Sequence, residues 1–299
     1  MMKITVVSHI VIDTVISYLH KTTSLGGPPI YAGLTAKNMG GNISFLTKYG
    51  KDIPEKYLLW LIQNQIKIPN DSCSLEYPTT RFQIIQNKKS RKLKLLTKCE
   101  NIENIRNDLN EDAFIVSPVA GEVNINFLNK LKELYKTIYL DPQGFIRRFN
   151  PDGSCFFEKI DQKILNNIDI LKMDEQEAYY ITGSKDPIKA LQKTFDSGIK
   201  VSIFTRGSKG ILLLCSKGLF EIPVIKKIKI VDLTGIGDIF AGAFTFTYLK
   251  DYDPVWAAAI ATTAASMGIN KIGVSKIPKL DMIVEGAEEI FENIKKIQI

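Results

Sequence analysis

Residues 232–238 read DLTGIGD, a short turn with two glycines between two apolar segments. The run before it, residues 228–231, predicts a strand, and the longer segment after it, residues 238–249, predicts a helix. Glycines at positions 235 and 237 let the backbone turn sharply, so that successive N–H groups point into one concavity at the positive end of the helix. The stretch therefore predicts an anion-binding turn.

Asp238 falls in the first turn of that helix. A carboxylate beside a bound phosphate is unfavourable because the two repel each other, so its presence indicates a function. Accepting the proton of a substrate hydroxyl is such a function. Phosphoryl transfer needs positioning, charge neutralisation and one residue that deprotonates the nucleophile. Taken alone, the same residues also fit a plain turn in which Asp238 only stabilises the start of the helix.

Short runs rich in β-branched residues recur between longer amphipathic segments along the chain. Strands alternating with helices predict βαβ units and a mainly parallel sheet with helices on both faces. Prolines 28 and 29 and glycines 40 and 41 predict a first helix over residues 29–39. The predicted strands are residues 4–7, 43–47, 113–116, 137–140, 168–171 and 201–205, and the last predicted helices are residues 238–249, 254–269 and 280–297.

One segment interrupts this alternation. Residues 80–86 and 91–97 have apolar residues at every second position and are joined by the polar residues 87–90, which predicts a hairpin. The polar residues between the apolar ones predict a small sheet with one face in water. Such a sheet could cover a cleft, or it could be an edge hairpin with no such role.

Charge and composition argue against several functional classes. The net charge is +7, but the basic residues are spread along the chain and accompanied by 32 acidic ones, without the clustered face and stacking aromatics typical of nucleic-acid binding. The four cysteines and two histidines have no metal-ligand spacing. No segment approaches 18 uninterrupted apolar residues, and the start leads directly into a short apolar run. We expect a soluble cytoplasmic protein without nucleic-acid or membrane partners.

The turn at residues 232–238 resembles the C-terminal signature of the ribokinase-like, phosphofructokinase-B type family of carbohydrate kinases. The resemblance extends in order over nearly the whole chain. It implies one domain over residues 1–299, an α/β Rossmann-like three-layer sandwich with a mainly parallel central sheet and a small β-sheet lid near residues 14–25 and 78–98. The other matching segments are residues 8–13, taken as the end of the first strand, and residues 26–28, 172–177 and 205–210.

The resemblance also implies a role for each matching residue, with ATP and Mg²⁺ as cofactors. Asp238 is then the catalytic base, and the amides of Gly235, Ile236 and Gly237 form the anion hole for the transferred phosphoryl group. Glu177 would organise Mg²⁺ through water, with Asp174 beside it. The substrate would contact Asp13, Gly26 and Gly27, and the nucleotide would contact Lys172, Thr205, Gly207, Ser208, Gly210 and Thr262.

Two departures from the family pattern bear on the substrate. Tyr31 stands where ribokinases commonly have asparagine, and Asp174 replaces the asparagine of the Lys-x-Asn-x-x-Glu segment, so ribose is disfavoured. Residues 119–123 and 140–147 look like segments of inositol kinases and their archaeal relatives. Gln143 and Arg147 are then candidate substrate ligands, although a strand-end turn with Arg147 on the surface also fits. We expect a small sugar or polyol as substrate, with myo-inositol preferred.

Other functions fit parts of the sequence. A nucleoside, hexose or hexose-phosphate kinase would have the same fold, because function depends on the site. A non-catalytic nucleotide-binding protein would have no need of Asp238 among phosphate-binding amides. A dinucleotide-dependent oxidoreductase is disfavoured, because residues 8–10, at the turn after the first strand, lack the Gly-x-Gly-x-x-Gly fingerprint. The family resemblance implies a monomer or a homodimer formed through the lid.

Overall fold

The computed structural model describes residues 1–17, 21–86, 91–106, 109–134, 137–225 and 228–298. Strands and helices alternate through much of the chain. The strands are β1 (Lys3–Val7), β2 (Val11–Ile16), β3 (Lys21–Gly26), β4 (Asn42–Leu46), β5 (Tyr49–Gly50), β6 (Cys73–Ser74), β7 (Thr80–Gln86), β8 (Arg91–Thr97), β9 (Ala113–Val116), β10 (Ile138–Leu140), β11 (Arg147–Phe149), β12 (Cys155–Phe157), β13 (Ile170–Met173), β14 (Val201–Thr205), β15 (Ile211–Cys215), β16 (Gly218–Ile222) and β17 (Lys295–Ile297).

The helices are α1 (Pro28–Asn38), α2 (Glu55–Gln63), α3 (Ile125–Leu134), α4 (Gln143–Ile146), α5 (Glu175–Thr182), α6 (Pro187–Asp196), α7 (Ile236–Asp251), α8 (Pro254–Gly268) and α9 (Leu280–Glu292). Helix α1 begins with the two predicted prolines, because proline lacks only an N–H that would have no partner there. Across the ranges given above, no helix has both the length and the apolar composition needed to span a bilayer.

The main sheet has nine strands in the order β4-β1-β9-β10-β13-β14-β15-β16-β17. The pairs from β4 to β14 are parallel, and the pairs from β14 to β17 are antiparallel. The expected mainly parallel central sheet is therefore confirmed. Because parallel strands end at the same edge of a sheet, the loops after β1, β9, β10, β13 and β14 gather there, where α/β proteins bind ligands.

Helices cover both faces of the main sheet, which gives three layers. Alternate strand residues point to opposite faces, so Ile4 and Val6 belong to one apolar core and Val7 belongs to the other. The first core includes buried residues of α1, α7, α8 and α9, and the second includes those of α3, α5 and α6. Helices α1 and α7 pack so closely that a side chain at Gly242 would collide with the carbonyl of Ala32.

A smaller sheet of four strands lies in the order β3-β2-β7-β8. The hairpin predicted at residues 80–97 is present as β7 and β8, although its turn lies outside the described residues. The prediction that residues 8–13 end the first strand is wrong: β1 ends at Val7, and Asp13 lies inside β2. Strand β2 leaves the main sheet because it pairs with β3 and β7 instead.

The C-terminal third differs from the prediction at three places. Residues 228–231 are not a strand; the amides of Val231 and Asp232 donate instead to the carbonyl of Ile269, at the end of α8. The predicted helix over residues 280–297 ends at Glu292, and the chain continues as β17 along the edge of the main sheet. Strands β15 and β16, which the sequence interpretation did not include, form an antiparallel hairpin.

A buried carboxylate, Glu122, ties the loop after β9 to the loop after β1. It accepts hydrogen bonds from the amides of Val119 and Ala120 at 2.7–3.0 Å, from the amide of His9 at 3.2 Å and from the Ser8 hydroxyl at 3.1 Å. Burial opposes ionisation, but His9 and the amides outweigh it and lower the pKa of Glu122. The charged carboxylate therefore fixes one loop of the main sheet against the start of β2.

Candidate active site

Helix α7 begins beside the loops that follow the parallel strands. Gly235 is its N-cap, with a φ of 76°, a left-handed conformation that favours glycine. The amides of Gly235, Ile236 and Gly237 belong to the helix start, where N–H groups have no carbonyl partner within the helix. The turn thus has the donors and the partial positive charge that an anion site requires.

Asp238 lies in the first turn of α7, and its side chain is buried. The hydroxyl of Ser117, at the end of β9, donates to Asp238 Oδ1 at 3.5 Å, and Gln143 Nε2 donates to that hydroxyl at 3.3 Å. Burial, reinforced by the charge of Asp141, raises the pKa of Asp238 to about 7, although Lys172 pulls it down. A carboxyl with such a pKa can accept a proton near neutral pH.

Lys172, at the end of β13, is a buried cation between two carboxylates. Its Nζ lies 2.6 Å from Asp141 Oδ2 and 3.6 Å from Glu177 Oε2. Burial favours the neutral amine, but these carboxylates outweigh it and hold the pKa of Lys172 well above its ordinary value. The amine would lie 3.5 Å from a Cβ placed on Gly237, so a positive charge borders the helix start. A phosphoryl group bound at the start of α7 would therefore lie near both the backbone amides and the Lys172 ammonium.

Glu177 and Asp174 begin helix α5 as a reciprocal cap. Each side chain accepts the backbone amide of the other residue at 2.8 Å. Lys172 stands nearer to Asp141 than to Glu177, and burial, reinforced by Asp141 and Asp174, raises the pKa of Glu177 to about 8. The raised pKa means that Lys172 does not offset the cost of ionising Glu177, so an added cation would favour the charged form of this carboxyl.

No cluster of three or more ligands that could hold a metal directly occurs in the part of the chain that the structure describes. The residues present fit a different mode of metal binding, in which most ligands are water molecules and substrate phosphates. Mg²⁺ usually keeps several waters and binds through one or two carboxylates together with the phosphates of the substrate. Glu177 and Asp174 lie at the start of α5 near Lys172, which fits that mode. A cation there would favour the carboxylate form of Glu177 and would neutralise phosphate charge.

Asp13, Gly26 and Gly27 come together where β2 pairs with β3. Asp13 is 5% exposed, and its carboxylate lies so close to Gly26 that a side chain at that position would collide with it. Gly27 has a φ of 92°, and a Cβ there would meet the carbonyl of His9. Both glycines are thus required by close contacts, and the carboxylate of Asp13 is held at the junction of the small sheet and α1.

Tyr31 was noted in the sequence only as a departure from the family pattern, but it connects two parts of the site. Its buried ring covers Gly235, where any Cβ would collide with it. Burial, together with the charges of Asp13, Asp232 and Asp238, raises the pKa of its hydroxyl far above the ordinary range. The neutral ring therefore packs between Asp13 and the start of α7.

Ser117 and Asp141 contact predicted site residues but were not among those predicted. Ser117 touches Asp238 and Gln143, and Asp141 holds Lys172. Each follows a parallel strand, Ser117 after β9 and Asp141 after β10. Polar residues at the carboxyl ends of parallel strands are good candidates for site residues, and that position could have identified both.

Most of the residues predicted to contact the nucleotide lie in the turn after β14 and on α8. Gly207 and Gly210 have φ values of 57° and 80° in the turn after β14, and the Thr205 hydroxyl donates to the carbonyl of Met173 at 3.3 Å. The Thr262 hydroxyl of α8 is buried and has no hydrogen-bond partner among the residues described. Around them lies an apolar slot, lined by Val224, Ile225, Ile228, Ile230, Ala265 and Ile269.

One cavity of about 1290 Å³ connects these groups. Its lining includes residues of the small sheet, of the start of α7 and of the apolar slot. Every predicted site residue except Gly26 lines it. Gly26 lies immediately behind Asp13. The structure therefore brings together residues that are more than 200 positions apart in the sequence, as the predicted roles require.

Comparisons with known proteins identify the family and the fold of the chain. A family model described as pfkB family carbohydrate kinase matches residues 17–280. A cytidine kinase of Thermococcus kodakarensis is 28% identical over 262 residues, which cover 84% of this chain and 90% of that protein. The match therefore extends over most of both sequences.

Solved structures share the fold at lower identity. A pyrophosphate-dependent kinase of the ribokinase family, in complex with a pyrophosphate analogue and myo-inositol, has a TM-score of 0.80 at 19% identity and covers 95% of this chain and 99% of that one. A ribokinase of Arabidopsis thaliana with ribose and ATP has a TM-score of 0.77 at 18% identity, covering 95% and 98%. The chain has the ribokinase-like fold, and it is a kinase that belongs to the pfkB family of carbohydrate kinases.

Proposed function

We propose that the protein transfers the γ-phosphoryl group of ATP to a hydroxyl group of a nucleoside, with Asp238 as the base. The observation that carries this proposal is the position of Asp238, which is buried at a helix start and lines the same cavity as Asp13, Lys172 and Thr205. We call the part of the cavity lined by Asp13 and the small sheet the acceptor end. We call the part lined by Lys172, Thr205 and the apolar slot the donor end.

The acceptor end is supported as a nucleoside site by its apolar wall. A sugar or polyol alone needs mainly hydrogen-bonding partners, whereas a base needs apolar surface of its own area. The relative that is a cytidine kinase agrees with a nucleoside. Beyond Asp13 the cavity is lined by Val11, Phe82, Ile84, Leu93, Val119 and Phe157.

myo-Inositol, the substrate preferred from the sequence, remains the second candidate. The observation in its favour is that Gln143 and Arg147 line the acceptor end together with Asp13. An amide and a guanidinium could fix a ring that has hydroxyls on all sides. In either case the small sheet would serve as the lid of a single domain, formed by the segments near residues 14–25 and 78–98.

In the proposed reaction, the Asp238 carboxylate accepts the proton of the acceptor hydroxyl. The freed oxygen forms a bond to the γ-phosphorus while the bond from that phosphorus to the bridging oxygen of ADP breaks. The amides of Gly235, Ile236 and Gly237 and the charge of Lys172 stabilise the transferred group. Mg²⁺, held by the phosphates and through water by Glu177 and Asp174, would neutralise further charge. The proton on Asp238 then leaves to water.

ATP is proposed as donor in preference to pyrophosphate because of the apolar slot. Pyrophosphate is fully charged and would gain nothing from the apolar side chains there, whereas a purine would bury them. The unpartnered Thr262 hydroxyl in the wall of the slot offers a hydrogen-bonding group to a base. Donor choice is tested by supplying either compound with Mg²⁺ and following the phosphorylated acceptor by ³¹P NMR.

The acceptor is tested by a panel with ATP and Mg²⁺. Cytidine, uridine, inosine, adenosine, ribose, fructose, fructose 6-phosphate and myo-inositol would be compared by their kcat/KM. We expect the highest value with a nucleoside. A higher value with myo-inositol than with every nucleoside would replace the first candidate by the second. If none of these acceptors is phosphorylated, both candidate functions are contradicted.

A further inference from the structure

Lys276 is a lysine with no exposed surface. It ends the 3₁₀ turn Gly273–Lys276. Its ammonium donates to the carbonyl oxygens of Asp232 at 3.0 Å and of Thr234 at 2.7 Å, and lies 2.7 Å from Asp232 Oδ2. Lysine is almost never fully buried unless it is paired, because its charge loses water. The proposed reaction gives Lys276 no direct role, so its burial needs another explanation.

The oxygens around the ammonium belong to the residues that immediately precede the anion site. The carbonyl of Thr234 and the amide of Gly235 are parts of one planar trans peptide, so they point in opposite directions. When Lys276 holds that carbonyl, the Gly235 amide is held facing away from Lys276. The same relation connects the carbonyl of Asp232 with the next amide. Fixing these carbonyls therefore fixes the direction of the Gly235 N–H at the start of α7 and of the Leu233 N–H in the turn before it.

Asp232 completes the arrangement with both of its carboxylate oxygens. Oδ1 accepts the amide of Thr234 at 2.9 Å, while Oδ2 pairs with Lys276. Two carbonyls and a carboxylate that converge in a buried place would repel one another without a positive charge between them. The turn therefore depends on a cation, and here the cation is covalently part of the chain.

We infer that Lys276 is a positioning residue that supplies the cation required by the turn before the anion site. The oxygens that surround its ammonium are ligands that a free monovalent cation, such as K⁺ or NH₄⁺, could otherwise use. An ammonium within the chain is present in every salt. Phosphoryl transfer should therefore be indifferent to the monovalent cation in solution; this activity readout rests on the proposed function.

Two variants test the inference. Lys276→Ala leaves a space beside the same oxygens, whereas Lys276→Met fills it with an uncharged chain. We expect both to lower kcat by about 10- to 100-fold in tetramethylammonium chloride, the range typical of losing a group that orients a site. NH₄Cl or KCl at equal ionic strength should restore activity to K276A but not to K276M. Wild-type activity should be equal in all these salts.

The controls separate positioning from folding. Lys279→Met removes an exposed lysine three residues away and should leave kcat unchanged. If K276M does not fold because Asp232 is left unpaired, the double variant Asp232→Asn, Lys276→Met removes both charges and keeps an acceptor for the Thr234 amide. We expect this variant to fold, to have low kcat and to be insensitive to the salt. A double variant with wild-type kcat would overturn the inference.

Melting temperatures test the role of Lys276 independently of activity. The melting temperature of K276A should be higher in NH₄Cl or KCl than in tetramethylammonium chloride. The melting temperatures of the wild type and of K276M should not differ between these salts in this way. If no acceptor is phosphorylated, the proposed function fails but this measurement still decides the role of Lys276. If the wild type is an active kinase that K⁺ stimulates, or if K276A responds to no cation, the inference about Lys276 fails alone.

Discussion

The donor end and the acceptor end of the cavity are built in different ways. The donor end and the proposed anion site next to it depend largely on backbone conformation: Gly207, Gly210 and Gly235 have positive φ, and the proposed anion site consists of amides. The acceptor end depends on side chains from separate segments, with Asp13 and the apolar wall on the small sheet and Gln143 and Arg147 after β10. We infer from this difference that the donor end can transfer a phosphoryl group to many kinds of acceptor. The side chains of the acceptor end then determine which acceptor this protein binds.

The largest effect is expected from Asp238→Asn, which tests the phosphoryl-transfer step proposed to be common to all acceptors. Asparagine keeps the size of the side chain but cannot accept the proton of the acceptor hydroxyl. We expect kcat to fall by about 10²-fold or more with every acceptor, while the Kd of ATP measured by calorimetry stays unchanged. Loss of activity with one acceptor only would assign Asp238 to acceptor binding and remove the contrast between the two ends.

The second test changes the backbone at the donor end. Gly235→Ala places a Cβ against the ring of Tyr31 in a left-handed conformation, so we expect a displaced anion site and a fall in kcat of about 10²-fold, as for loss of one such donor. Gly183→Ala is a matched control, because Gly183 has a nearly identical φ of 72° with nothing within 4 Å of its Cβ. It should melt at a lower temperature and keep its kcat.

The third test concerns the acceptor end. Asp13→Asn should raise the KM of the acceptor by about 10- to 100-fold, since a hydrogen bond to a charged group contributes about 1.5–3 kcal/mol. The KM of ATP should remain as in the wild type, because Asp13 belongs to the small sheet and not to the elements that line the nucleotide slot. Steady-state kinetics with each substrate varied in turn measure both constants. Equal increases in both would mean that the two ends are not separable.

The fourth test uses pH. The pKa of Asp238 is raised to about 7 in the free enzyme, and the base must be unprotonated to act. As pH falls below about 7 the protonated fraction grows, so kcat/KM should decrease about tenfold for each further pH unit. The profile should have the same midpoint for every acceptor. A midpoint near pH 4 would mean that Asp238 is not raised, or is not the base.

The smallest expected effect is on acceptor choice. Leu93→Ala removes apolar surface from the acceptor wall and should lower kcat/KM for a nucleoside by roughly 10-fold, with little change for ribose or myo-inositol. Leu96→Ala, an exposed position of the same strand, is its control and should change neither value. An equal loss with nucleoside and polyol would contradict the assignment of this wall to a base.

Much of the donor end was predictable, because positive φ and close contacts require glycine and leave a visible pattern. Gly235, Gly207 and Gly210 are such positions, and they belong to two of the segments in which the sequence resembles the family. The place of Asp13 was not predictable in the same way. Whether residues 11–16 extend β1 or join another sheet depends on pairing with β3 and β7, which the local pattern does not contain.

Two further differences have similar causes. The apolar run at residues 228–231 has the composition of a strand, but the amide at its end bonds to the carbonyl of Ile269 instead of a neighbouring strand. Lys276 is one of three lysines within residues 271–279, nothing local distinguishes it, and only the folded chain brings its ammonium to Asp232. Tertiary contacts, which override local propensity, account for both.

The last strand of the main sheet affects whether two copies of the protein can associate through their sheet edges. An unpaired sheet edge offers a row of N–H and C=O groups to which another chain can add. Strand β17 occupies the edge beside β16, is three residues long, and carries two exposed lysines, Lys295 and Lys296. Short, positively charged edge strands repel their counterparts in a second molecule. This edge is thereby protected against sheet-to-sheet aggregation.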